Sequence, residues 1–356
     1  MNCCLRLFQN GHKQLFLSLL LGMFTTMQAA SNKEPKQLFL LFHGLGNHAS
    51  SFNTLKKGIE KEFPTASVIA FKSVEGIKSL QFSTQEQVEM NFQELQEKVP
   101  NLTNKSIVLI GHSHGGIRAY TFLQKYQDQL HIKGLVALST PWEGAPGTRV
   151  NQELLTTQLT PEVLSDLRIL SEKLGHPVDK LENQFVLEIN NNQMICLLPG
   201  AKDMLDGSPL LCEIKQTLPQ EETDMLFVAG GQNDWGTLVP KPAKRLKLPA
   251  LNKMYKFLAV GEGSPKDDIH DMKVPRYSQH AKKILPKGKK NLQRVFIKDA
   301  FHDTHVLTII PVPRHKEILA HPRTVKAVIR FAKKVLTRDL KKSKASPAGD
   351  VNQDKC

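Results

Sequence analysis

Cysteine is scarce, at five in 356 residues, and Cys3 and Cys4 stand at the very N-terminus. The remaining Cys196, Cys212 and Cys356 are too few for a disulfide framework, although Cys196 and Cys212 could close one short loop in an oxidising compartment. No Cys/His spacing resembles a zinc site, so no metal or cofactor is called for. Aromatic residues make up 6% of the chain and do not interleave with basic ones, which argues against a single-strand nucleic-acid surface. No apolar run reaches the ~20 residues that cross a bilayer. There is no internal repeat.

What is present is positive charge. The formal net charge is +14 and the sequence pI is about 9.5. A balance of this kind attracts anionic surfaces, membranes among them, or simply keeps a protein soluble. It is spread along the chain rather than focused in one motif, and the cluster Lys241–Lys247 reads as a solvated loop. At the N-terminus Arg6, His12 and Lys13 precede a short apolar run, Leu15–Phe24, and small residues around Ala29-Ala30-Ser31 follow. This is the layout of a secretory signal peptide over residues 1–30, and it predicts a secreted or periplasmic protein.

From Pro35 onward strand and helix patterns alternate. Gln37–His43, Ser67–Phe71, Ser106–Gly111 and His131–Ser139 read as strands. Between them, Phe52–Phe63, Thr84–Val99 (with Thr84 as N-cap) and Gly115–Tyr126 read as helices. Continuous apolar runs of strand length fit a buried parallel sheet with helices on both faces, an α/β class. The alternation breaks between about 145 and 220, where an inserted helical cap is expected. It resumes with expected strands at Asp224–Ala229, Tyr255–Val260 and Arg294–Ile297. A last amphipathic helix spans His321–Leu336, and a polar, disordered tail is expected over 339–356.

The strongest chemical signal is Gly111-His112-Ser113-His114-Gly115-Gly116, which closes an apolar strand and opens a helix. That context is the one required of a nucleophile elbow, where glycines permit a strained turn that lifts a serine hydroxyl. A second signal is His43-Gly44-Leu45-Gly46-Asn47 after the first strand. The backbone N–H groups of Leu45 and His114 are the two expected oxyanion donors. Taken with Thr140-Pro141-Trp142-Glu143-Gly144, these motifs resemble the α/β-hydrolase superfamily. The middle of the chain is similar to bacterial lipases and esterases and to palmitoyl-protein thioesterases. His114 departs from the Gln, Met or Leu usual after the nucleophile in that superfamily.

The resemblance implies a triad in the order Ser, acid, His. His302, His305 and His315 are candidates for the base. His315 is preferred because His315-Lys316-Glu317-Ile318-Leu319 resembles the segment before the last helix in relatives. Asp271, in Asp271-Met272-Lys273-Val274-Pro275-Arg276-Tyr277-Ser278, is preferred as the acid over Asp234. Trp142 and Trp235 read as packing anchors rather than pocket walls. The implied activity is hydrolysis of a carboxylic ester or thioester of a lipid or acylated molecule through an acyl-enzyme on Ser113. A non-catalytic binding protein on the same fold and an acyltransferase are the rivals. Oligomeric state is left open.

Overall fold

The computed structural model describes residues 36–145, 157, 160–174, 197–238, 246–261, 269–303 and 313–345, without the side chains of residues 174 and 339–345. The expected signal peptide, Cys196, Cys356, His305 and residues 241–245 of the basic cluster lie outside the described residues.

Six parallel strands form one sheet, in the order β2-β1-β3-β4-β5-β6. They are β1 (Gln37–Phe42), β2 (Ser67–Ala70), β3 (Ser106–His112), β4 (Ile132–Leu138), β5 (Asp224–Gly230) and β6 (Leu292–Ile297). The apolar runs are buried on both faces because alternate residues feed two separate cores. Leu38, Leu40 and Phe42 of β1, with Leu109 of β3 and Phe227 of β5, point into one. Phe39, Leu41, Ile110 and Val228 point into the other. Helices α1 (Asn53–Glu62) and α7 (Pro322–Ala345) cover the second core. Helices α2 (Thr84–Lys98), α3 (His114–Tyr126) and α5 (Pro209–Thr217) cover the first.

Three expectations need correction. The run Tyr255–Val260 is not a strand but the end of helix α6 (Pro249–Val260). Its buried residues Leu251, Met254, Tyr255 and Ala259 recur at helical spacing, Pro249 starts it and Gly261 at φ 84° ends it. The N-cap of α2 is Ser83, not Thr84: Ser83 and Glu86 form a reciprocal capping box. Helix α7 runs to Ala345 rather than stopping near Leu336, since no proline interrupts it before Pro347. Among the described residues Cys212 has no cysteine partner, and Cys196 lies outside them.

The region expected as a cap divides. Helix α5 joins the sheet core through Leu210, Leu211 and Ile214. Helix α4 (Pro161–Leu174) instead packs on α6, and Val163, Leu167 and Leu170 meet Leu251, Met254 and Tyr255 in a third cluster. That cluster also holds Met272 and Phe301, neighbours of two residues considered below. The chain passes from β1 outward to β2 and then returns to β3 on β1's other side. In parallel sheets the crevice at such a reversal, beyond the strands' C-terminal ends, is where ligands bind.

Candidate active site

Both glycine motifs lie at that reversal. Strand β3 ends at His112, Ser113 has φ 55° and ψ −128°, and α3 begins at His114. A non-glycine residue held there stores about 1–3 kcal/mol of strain. Close neighbours enforce it, backbone at Gly111 and Gly115 and a side chain at Gly116. A Cβ on Gly111 would lie 2.2 Å from the Gly115 carbonyl oxygen, and one on Gly115 would lie 2.0 Å from that of Phe42. One on Gly116 would lie 1.8 Å from Thr140 Oγ1. The turn is tied to β4, because Ser113 N–H donates to the Leu138 carbonyl at 2.9 Å. The first N–H groups of α3 have no acceptor within the helix and carry its positive dipole end.

The loop after β1 lies against the serine: a Cβ on Gly44 would be 3.1 Å from Ser113 Cβ. The Gly44 carbonyl accepts from His43 Nδ1–H at 2.9 Å and from Asn47 N–H at 3.2 Å. A trans peptide then turns the Leu45 N–H the opposite way. Gly46 N–H donates to Ser79 Oγ at 2.7 Å, and the Asn47 carbonyl accepts from Gly76 N–H at 2.9 Å. The His43 imidazole is kept neutral, its pKa lowered to about 3 by burial and by the Arg118 charge.

On the other side of the elbow, Asp271 Oδ2 accepts from His302 Nδ1–H at 2.9 Å, with both side chains buried. Asp271 Oδ1 accepts from the backbone N–H groups of Val274 at 2.8 Å and Lys273 at 3.2 Å. Burial pushes the Asp271 carboxyl up, but the His302 charge, its hydrogen bond and the Val274 N–H outweigh it and hold the group below its ordinary value. The His302 N–H also donates to the Asp271 carbonyl at 3.0 Å. The His302 carbonyl accepts from His112 Nε2–H at 2.9 Å, which joins the imidazole's own backbone to the residue before Ser113. With Nδ1–H given to a carboxylate, Nε2 of His302 carries a free lone pair.

The sheet therefore presents, at one end, a serine on an elbow, a loop of N–H donors and an aspartate–histidine pair in the chain order Ser, Asp, His. The protein has the α/β-hydrolase fold. A sequence model of the family described as palmitoyl protein thioesterase matches residues 39–194, which spans the elbow but neither Asp271 nor His302. No curated protein matches the chain. Among solved structures, a mature lipase of Bacillus licheniformis is 11% identical with a TM-score of 0.47, covering 85% of this chain and 94% of that one. A metagenomic carboxyl esterase is 11% identical with a TM-score of 0.47, over 84% of this α/β-hydrolase-fold chain and 76% of its own. A protein of Listeria innocua is 13% identical with a TM-score of 0.45, covering 84% and 94%.

The structure brings together Ser113, Leu45, His114 and Asp271 but not His315. That histidine is exposed on the turn Arg314–Lys316, and the imidazole held by Asp271 is that of His302. The apolar pair after His315 explains the misreading: Ile318 and Leu319 are buried anchors of the sheet core, so the pattern marks packing and not a base. The usable signal was proximity to a strand end, since His302 follows β6 closely. Asp234 caps its own turn, its Oδ1 accepting from Gly236 N–H at 2.9 Å and from Asn252 Nδ2–H at 3.1 Å. Trp142 and Trp235 are fully buried, one stacked on Phe227 and the other edge-on to Tyr255. The His114 ring points away into the core, where Nε2 shares a 2.8 Å hydrogen bond with Thr84 Oγ1.

Two of the sequence motifs meet through side chains that no local pattern marks. Ser278 Oγ accepts from Glu143 N–H at 3.0 Å and donates to the Gly144 carbonyl at 2.9 Å, fastening the acid's turn to the turn after β4. Gln279 completes the brace, with Oε1 on the Gly230 N–H at 2.8 Å and Nε2–H on the Val274 carbonyl at 2.7 Å.

Proposed function

We propose that the protein hydrolyses carboxylic esters or thioesters through an acyl-enzyme on Ser113, with His302 as general base and Asp271 as its orienting acid. The observation that carries this reading is the buried Asp271–His302 hydrogen bond whose histidine is tied through His112 to the elbow bearing Ser113. Ser113 Oγ attacks the carbonyl carbon while His302 Nε2 takes its proton. The carbonyl oxygen becomes an oxyanion facing the Leu45 and His114 N–H groups. The intermediate collapses, the alcohol or thiol leaves with the proton from His302, and the ester on Ser113 is hydrolysed by a water activated at the same imidazole. Asp271 stays ionised and stabilises the imidazolium.

The match to the palmitoyl protein thioesterase family supports a long acyl group on the substrate, and the basic, then apolar, then small-residue pattern at the N-terminus supports export. A fluorophosphonate probe together with p-nitrophenyl butyrate tests the core of the reading. Wild-type protein is expected to be labelled on Ser113, and Ser113→Ala to lose labelling and turnover by at least about 10⁴-fold. Full turnover by the Ser113→Ala protein would refute it. Palmitoyl thioester and p-nitrophenyl palmitate, run side by side, rank thioester against ester.

A further inference from the structure

Arg118 is fully buried in the first turns of α3, the helix that carries the elbow. Among the described residues no carboxylate lies within ion-pairing distance of it. Its Nη1–H donates to Gln87 Oε1 at 2.7 Å and its Nη2–H to the His43 carbonyl at 2.7 Å, while Nε has no partner. The guanidinium lies 5.9 Å from the centre of the Phe42 ring. Burial lowers its pKa to about 9, and Glu94 offsets this in part. A cation facing only neutral acceptors is a poor way to fill a core, because an apolar side chain of that volume packs without desolvating charge. What it reaches explains its presence. His43 is the first residue of the loop lying over Ser113, and its ring holds the Gly44 carbonyl. Gln87 in turn donates to the carbonyls of Ser79 at 2.8 Å and Phe82 at 2.7 Å, and Ser79 Oγ accepts from Gly46 N–H at 2.7 Å. One guanidinium therefore holds both ends of the loop, directly at His43 and through Gln87 and Ser79 at Gly46.

We infer that Arg118 is a positioning residue for the oxyanion loop: it sets the direction of the Leu45 N–H relative to Ser113 without touching substrate. The inference rests on the proposed Ser113 mechanism. Its signature is chemical, because a carbonyl oxygen that becomes an anion depends on N–H donors, whereas a thiocarbonyl sulfur accepts hydrogen bonds weakly. A loosened loop must therefore penalise an ester more than its thionoester analogue. A general loss of packing or of folded protein reduces both alike.

The experiment measures kcat and KM for a p-nitrophenyl ester and its thionoester with wild type, Arg118→Lys and Arg118→Met, each checked for folding by circular dichroism and melting. The expected result is a kcat lower by about 10- to 100-fold on the ester with KM within about threefold, and an ester-to-thionoester ratio reduced by about tenfold. Arg118→Lys, which keeps the charge and one donor to His43, should lie between wild type and Arg118→Met. A ratio equal to wild type in folded Arg118 variants overturns the inference. If neither variant folds, Gln87→Met decides: a reduced ratio supports the positioning role and an unchanged one overturns it. Failure of wild type to turn over either substrate in a Ser113-dependent way refutes the mechanism itself, and is distinguished from failure of Arg118 alone by the Ser113→Ala control.

Discussion

The nucleophile side of the site and its acid–base side are built on different physical terms. Ser113, Gly44 and Leu45 lie at the ends of two adjacent strands; the elbow is set sterically, by backbone at Gly111 and Gly115 and by the Thr140 side chain at Gly116, and only the loop beside it depends on hydrogen bonds. Asp271 and His302 come from two loops separated by β6, and hydrogen bonds from His112, Val274, Ser278 and Gln279 bring them together. Steric constraint is all-or-none and is written in a short contiguous stretch. Hydrogen-bonded constraint is graded and is spread over distant residues. Substitutions at these glycines should therefore act on folding, and those among the hydrogen bonds, Arg118 included, on turnover in a folded protein.

The largest effect expected is at Gly115. Gly115→Ala places a Cβ 2.0 Å from the Phe42 carbonyl oxygen and 2.5 Å from that of His43, atoms that cannot move without breaking β1. Denaturant titration should show a loss of at least about 3 kcal/mol, or no folded protein. A melting point within a degree or two of wild type would break the contrast at its first term.

On the other side, His302→Ala should lower kcat by about 10³–10⁵-fold with melting little changed, while His315→Ala stays within about twofold of wild type. Steady-state kinetics on the two variants decides between those histidines directly, and equal losses would remove the distinction. Asp271→Asn against Asp234→Asn sharpens it further. The first should lose up to about 10⁴-fold in kcat, because the amide lets His302 adopt the wrong tautomer. The second affects a turn and its tie to Asn252 of α6, and should change melting more than kcat.

The effect expected to be smallest per residue and pH unit is a shared one. His43, His112, His114 and His280 are buried and neutral. Burial is the largest cause in each case, with values lowered to about 3 for His43 and His112, to about 4 for His280, and well down for His114. Their folded values lie below the ordinary 6.5, so the unfolded chain binds more protons between those limits. Stability is then full above pH 6.5 and falls as pH drops below it, by up to about 1.4 kcal/mol per pH unit for each histidine. Melting curves between pH 7.5 and 5 should show the decline beginning near 6.5 and steepening. A flat profile down to pH 5 would show that these rings are solvated.

The same division governs how legible the site was in the sequence. The strands, the elbow and the loop after β1 could be read because apolar runs and glycines carry their own local constraints. Asp271 stood out through the turn it makes with Val274, a contact three residues away. His302 did not, because what selects it is a carbonyl bonded to His112, far off in the chain. Tyr255–Val260 misled for a related reason: six mostly apolar residues fit either period, and only the packing of α4 on α6 settles it.

Phe42 and Gly111 are partners in the ladder between β1 and β3. The gap between the strands that carry the donor loop and the serine is therefore one strand spacing, about 4.8 Å, and belongs to the sheet. Material added or lost between Ala145 and Leu197 enters beyond that ladder and leaves the gap untouched. A lineage built on this frame can therefore vary the chain between β4 and β5 without moving the two motifs relative to each other.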